Sequence, residues 1–149
     1  MENQDIVKAY YKMEAEFNWS YGKISRFFKE LMENKKIMGT KCPSCGVTFC
    51  PPTSDCPKCW VPTEWVEVGP KGTILTFTVI HMANLWSKRQ PPYTLGLIKL
   101  DGADTGLMHY VDVTDINKLK SGVRVEAVFA DERKGYVTDI DYFRVISQG

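Results

Sequence analysis

Cys42-Pro43-Ser44-Cys45, an interval of ten residues, then Cys56-Pro57-Lys58-Cys59: this stretch decides how the chain is read. Each Cys-Pro-X-Cys predicts a tight turn that aims two sulfurs at one point, and two such turns facing each other supply the four thiolates of a tetrahedral Zn²⁺ shell. Gly46, just after the first pair, can take the left-handed conformation that turns backbone amides toward sulfur. Two disulfides compete with this reading, and iron fits the same cage as zinc. A chain kept inside the cell disfavours the disulfides, and a lone redox pair leaves the second Cys-Pro-X-Cys unexplained. Cys42, Cys45, Cys56 and Cys59 are therefore the expected ligands of one structural zinc, with no coordination position left for water or substrate. Cys50, the odd thiol beside Pro51-Pro52, reads as a small buried hydrophobe.

On the C-terminal side of this module the pattern turns to alternating and β-branched residues. Thr73 to His81, Tyr93 to Leu100, Leu107 to Val113, Val123 to Ala130 and Tyr136 to Ile146 are five expected strands. Between the third and fourth, residues 114 to 120 read as a capped helical turn that stops at Ser121-Gly122. Five strands with a short helix in that gap predict an OB-type barrel, in which Gly96 permits the coiling or bulge needed for closure. On the N-terminal side, Ile6, Tyr10, Met13 and Phe17 follow helical spacing. Ile24, Phe27, Phe28, Leu31 and Met32 do so more clearly, with Ser20 or Asn18 as cap and Lys35 and Lys36 at the negative end. The fold class is thus mainly β with N-terminal α: a helical arm over 1–37 with two amphipathic helices, a zinc ribbon over 38–68 and a five-stranded OB domain over 69–149.

The 149 residues, 44% hydrophobic and 25% charged, suit one principal domain with a small appendage and exclude a disordered chain. Nineteen basic and eighteen acidic side chains leave a net charge of +1, so no global field draws the chain to nucleic acid or anionic membrane. Two histidines, His81 and His109, are too few for a three-histidine metal site. Residues 1 to 11 carry Glu2, Asp5 and Lys8 rather than a signal-peptide pattern, and the longest uncharged stretch, Gly72 to Ser87, is shorter than the ~18 residues of a spanning helix. A cytoplasmic location is expected.

The order of parts resembles the acyl-CoA-associated OB-fold family with a rubredoxin-like zinc ribbon, known as domain of unknown function thirty-five. The resemblance covers roughly residues 24 to 146. It is carried by the cysteine quartet, Phe49-Cys50-Pro51-Pro52, Gly72-Thr73 and Pro91-Pro92-Tyr93 leading to Leu100-Asp101-Gly102. Two residues depart from the family pattern: Trp60 stands where glycine often follows the second knuckle, and Cys50 where an aromatic is usual. What the resemblance implies is a non-catalytic accessory subunit that docks on a thiolase-like enzyme or an acyl-CoA hydratase and helps bind acyl-CoA.

The residues read alone agree on the lack of catalysis. There is no glycine-rich phosphate loop and no nucleophile elbow. His81 shares strand parity with Leu75, Phe77 and Val79, and His109 with Leu107 and Val111, so both are expected as satisfied inward or rim histidines. Asp112, Asp139 and Asp141 read as solvated charges. Acyl-CoA needs cations for its phosphates and a flat surface for adenine. Lys88 and Arg89 supply the first, and Trp86 or Tyr93 the second, in the long connection after the first barrel strand. The aromatic crowd from Tyr10 to Phe28 is a candidate docking face. The rival function is a single-stranded nucleic-acid binder, since OB barrels and zinc ribbons both serve that purpose, but the strand charges here are mixed in sign.

Overall fold

A computed structural model describes residues 10–82, 89–112, 116 and 119–147. Eight strands and one α-helix are arranged among them. The helix α1, Ser25–Asn34, follows a single 3-10 turn at Gly22–Ile24, whose Ser20 hydroxyl accepts the Gly22 amide at 3.0 Å. Its apolar stripe does what the spacing requires: Phe27 and Leu31 are buried, and Phe28 packs against the same core. Lys35 ends the helix in the left-handed conformation. Lys36 turns away from the helix end and binds Glu67 at 2.8 Å, an exposed pairing that holds the Lys36 pKa above the usual range.

Among the described residues only one of the two expected helices is found. The stripe of Tyr10, Met13 and Phe17 belongs to an arm with no regular secondary structure over 10–20, and Ile6 lies outside the described residues. Helical spacing alone is insufficient at this length, because a short helix in water gains most of its stability from packing one face. Here Tyr10, Met13 and Phe17 are each more than four-fifths exposed and find nothing among the described residues to cover them.

Three strands, β1 (Ile37–Lys41), β2 (Thr48–Phe49) and β3 (Glu64–Val68), form an antiparallel sheet in the order β2-β1-β3. The barrel follows: β4 (Lys71–Ile80), β5 (Tyr93–Leu100), β6 (Gly106–Asp112), β7 (Arg124–Phe129) and β8 (Ile140–Ser147), closed in the order β4-β5-β6-β8-β7. β4, β5 and β6 form a meander, β7 returns to pair with β4, and β8 runs parallel to β6 through Val111–Phe143 and Asp112–Arg144. One parallel contact in an otherwise antiparallel five-stranded barrel is the expected OB architecture. Of the expected helical turn over 114–120, all but Ile116, Leu119 and Lys120 lies outside the described residues.

Closure depends on a bulge that sits on a different strand from Gly96. The register of β4 against β5 slips at Leu75, which is pushed outward to 45% exposure, while Ile74 stays buried. That slip removes Leu75 from the parity shared by Phe77, Val79 and His81, and His81 is exposed because it lies beyond the end of β4. Gly96 pairs with Phe77 and His109 and faces inward; a Cβ there would come within 2.7 Å of a Val111 methyl, so glycine serves close approach inside the barrel.

The core runs without a break from Phe27 and Leu31 of α1, through Ile37, Met38 and Val68 of the small sheet, into Ile74, Ile98, Val125, Ile140 and Phe143 of the barrel. Arg133 fastens the helix from the other side, its guanidinium donating to the Met32 carbonyl at 2.9 Å and the Ala130 carbonyl at 3.0 Å. Asp139 is the one expected surface charge that is not on the surface. It is 2% exposed, and its carboxylate accepts the amides of Lys134 (2.9 Å) and Gly135 (2.8 Å), closing the loop between β7 and β8. Strand parity cannot show this, because Asp139 lies in a 3-10 turn, Val137–Asp139, that precedes β8.

Candidate functional site

The four knuckle sulfurs, of Cys42, Cys45, Cys56 and Cys59, all lie within 4.8 Å of one another. Two equivalent turns bring them there. In the first, the Cys42 amide donates to the Val47 carbonyl and the Gly46 amide to the Cys42 carbonyl, both at 2.9 Å. In the second, the Cys56 amide donates to Val61 and the Trp60 amide to Cys56, again at 2.9 Å. The turns require a positive φ after each pair, met by Gly46 at +75° and by Trp60 at +57°.

A sulfur–zinc bond of about 2.3 Å in a tetrahedron implies sulfur–sulfur edges of about 3.8 Å. Cys45 Sγ and Cys56 Sγ are 3.8 Å apart, whereas a disulfide needs about 2.05 Å, and all five cysteines are free. The Cys45 amide lies 3.4 Å from Cys42 Sγ and favours the thiolate, drawing that thiol down to about 7. The thiolate is the form that ligates metal, so the knuckle backbone at Cys42 is set for an ion. One metal ion held by four protein sulfurs has no open position for chemistry.

Cys50 stands outside the cage. It is fully buried in the common core, and burial pushes its thiol up to about 12. Its backbone reveals a clamp for which the sequence shows no local signal. The Cys50 amide donates to Thr105 Oγ1 at 2.8 Å, and the same hydroxyl donates to the Cys50 carbonyl at 2.9 Å. One turn away, the Thr48 amide donates to the Asp104 carboxylate at 2.9 Å and the Asp104 amide to the Thr48 carbonyl at 2.8 Å. The ribbon is thereby tied to the turn between β5 and β6 by four hydrogen bonds spanning 55 or 56 residues of sequence, a separation at which no spacing rule applies.

A second concavity, of about 260 Å³, opens beside the barrel between the start of β5 and the end of β6. Arg89, Tyr93, Thr94, Tyr110 and Asp112 are among its walls. Two of the four expected acyl-CoA contacts, Arg89 and Tyr93, thus meet in one cleft, while Trp86 and Lys88 lie outside the described residues. The Arg89 guanidinium stacks 4.5 Å from the Tyr110 ring centre and donates to the Asp141 carboxylate and, at 2.8 Å, to its carbonyl. Asp141 is accordingly an ion-pair partner rather than a lone solvated charge. His109 faces the barrel interior at 5% exposure, with Nε2 donating to the Val137 carbonyl at 3.2 Å and Nδ1 without a hydrogen-bond partner. Burial holds its pKa below the usual value. No described acid, base and nucleophile converge on either concavity or cage. On the barrel wall, Arg124 pairs with Asp101 through bonds of 2.7 and 2.6 Å and Arg144 with Glu126 at 3.6 Å, so these cations are already matched.

Comparison with known proteins decides the family. Residues 34–64 match the family model described as ChsH2, rubredoxin-like zinc ribbon domain, and residues 65–130 match ChsH2, C-terminal OB-fold domain. A DUF35 domain-containing scaffold protein of Methanocaldococcus jannaschii is 31% identical over 108 residues, 71% of this chain and 76% of the relative. The chain belongs to the DUF35 family. Among solved structures, a DUF35 protein of unknown function from Sulfolobus solfataricus is similar at 26% identity and a TM-score of 0.61, covering 83% of this chain and 84% of that one. The fold is also that of the Ltp2-ChsH2(DUF35) aldolase, at 19% identity and a TM-score of 0.64, covering 81% of this chain and 92% of that one. A zinc ribbon followed by an OB barrel is therefore both the local chemistry and the family architecture of this DUF35 protein, whose relatives are described as scaffolds. Among the described residues no helix is long and apolar enough to cross a membrane.

Proposed function

We propose that this DUF35 protein is a non-catalytic accessory subunit that docks on a thiolase-like enzyme, or an acyl-CoA hydratase, and contributes part of an acyl-CoA-binding surface. The observation that carries the reading is the arm: Tyr10, Tyr11, Met13, Phe17 and Trp19 are all at least 72% exposed on a chain whose other parts share a continuous core. So much apolar surface in one short segment calls for a partner. Tyr21 roots the arm by stacking on Phe28 of α1 at 3.8 Å, so a partner engaged by the arm is held against the rigid helix and ribbon. The relatives described as scaffold proteins and the DUF35 chain of an aldolase assembly support this role.

The cleft at Arg89 and Tyr93 supports a contribution to ligand binding. Its volume of about 260 Å³ is below the ~300–1,000 Å³ of a complete small-molecule site, which suits one portion of a long ligand shared with the partner. The test is purification of the tagged chain from its native host with identification of what accompanies it. A stoichiometric acyl-CoA enzyme is expected; a chain that elutes without one refutes the reading. Calorimetric titration of that complex with acyl-CoA should show binding weakened at least about tenfold by the double substitution Lys88→Ala/Arg89→Ala, the loss of one charge-assisted phosphate contact or more. Equal affinity removes this cleft from the mechanism.

A further inference from the structure

The second zinc knuckle is closed by a residue that the knuckle does not need. Gly46 and Trp60 occupy equivalent places, each donating its amide at 2.9 Å to the carbonyl of the first cysteine in its turn, and each with positive φ. At Gly46 an added Cβ would meet nothing within 4 Å, so the position asks for left-handed backbone and no side chain. At +57° a tryptophan is strained, because a left-handed L-residue brings its Cβ against the backbone. Nor does the ring pack on the described residues, since Trp60 is 84% exposed. A strained residue kept at an unpacked position points to function rather than folding.

One exposed cation, Lys58, lies two residues before it. The other charges of the ribbon are set against opposite ones: Lys41 pairs in register with Glu64 across β1 and β3, and the Asp55 carboxylate lies 3.8 Å from Lys23. A single lysine is too little for a phosphate track, but it suits a protein pocket with a carboxylate at its rim.

We propose that Trp60 is the anchor of a protein interface, its indole entering an apolar pocket rimmed by carboxylates on the enzyme subunit on which this chain docks. The inference rests on the docking reading above and adds the ribbon tip to the arm as a second point of attachment. Tryptophan is the residue type most enriched among interface anchors, and a rigid zinc knuckle presents it with little ordering left to do on binding.

The test uses the zinc-loaded full chain and the purified enzyme that accompanies it in the host, with calorimetry at low and high salt. Trp60→Gly should melt at the same temperature as wild type or higher, since strain is relieved, and should keep one zinc. It should bind the enzyme at least about thirtyfold more weakly, the lower limit for an anchor residue. Trp60→Ala should lose affinity equally without the gain in stability, and Lys58→Glu should weaken binding and reduce its salt dependence. Equal binding by wild type and Trp60→Gly overturns this inference while leaving the docking role intact. A lower melting temperature or zinc loss in Trp60→Gly overturns it as well, by making the ring structural. If single-stranded DNA binds wild type and not Trp60→Gly, the ring is a base-stacking platform and the protein pocket is wrong. If the wild type associates with no acyl-CoA enzyme, both readings fall together.

Discussion

Replacing Cys42 by serine removes one corner of the sulfur cage, and the size of the effect follows from what else holds the segment. Between Cys42 and Val61 the buried side chains are Cys42, Thr48, Cys50, Pro52 and Cys56, and β2 is only two residues long. Such a segment has no core of its own, so the metal supplies its folding energy. Structural zinc binds with about 10–16 kcal/mol in small domains, or roughly 2.5–4 kcal/mol per ligand if shared evenly among four. Cys42→Ser should therefore weaken zinc binding by a factor of roughly 100 to 1,000. The four hydrogen bonds from Thr48 and Cys50 to Asp104 and Thr105 contribute about 1 kcal/mol each and cannot replace the ion, but they hold β2 against the barrel. Loss should thus be confined to the knuckles at 42–47 and 56–61, with the barrel and α1 retained. Competition against a chelator of known affinity measures the first quantity, and amide exchange residue by residue measures the second. Cys50→Ser is the control, since that thiol is outside the cage: it should retain one zinc per chain while losing about 1–3 kcal/mol of stability, from a hydroxyl in an apolar site. Wild-type zinc affinity in the Cys42 variant would refute the assignment of the cage.

Three further outcomes follow from the interior. His109 is buried with a pKa held down in the folded chain, while an unfolded histidine titrates near 6.5, so its contribution to stability is fully present above about pH 6.5 and is lost as pH falls toward the folded value. Denaturant unfolding between pH 7.5 and 5 should show this loss, and His109→Gln should flatten the profile; a variant as acid-sensitive as wild type would move the effect elsewhere. Asp139→Ala removes the acceptor of the part-buried amides of Lys134 and Gly135 and should cost about 1–3 kcal/mol, whereas a loss under 0.5 kcal/mol would mean that the loop rearranges. Gly96→Ala drives a methyl to 2.7 Å from Val111 and should destabilise the barrel by about 1–3 kcal/mol, with Gly96→Ala/Val111→Ala recovering part of the loss if this contact is the cause.

Several parts of this molecule were legible before any coordinates. The two Cys-Pro-X-Cys turns carry their meaning in four or five consecutive residues, because a knuckle is a local backbone structure and thiolate chemistry depends on residue type. The five barrel strands are legible for a similar reason: burial of one face imposes a period of two on each. Ile24 to Met32 encodes α1 in the same way, through a period of 3.6. Where local pattern met a missing partner, it misled. Tyr10, Met13 and Phe17 have helical spacing but no covering surface among the described residues, and the segment has no regular secondary structure.

What the sequence by itself determined, then, was the donor set, the strand and helix alphabet and the family to which the chain belongs, all properties of residues close together along the backbone. Only the tertiary structure decided that Leu75 bulges and reverses the parity of β4, that Asp139 is an internal acceptor, and that Arg89 shares a cleft with Tyr93, Tyr110 and Asp112. It also brought Asp104 and Thr105 onto the ribbon across 55 residues or more. The physical reason is the same in each case: these placements follow from closure of a barrel and the packing of separate elements, and closure pairs groups whose separation in sequence carries no periodic signal.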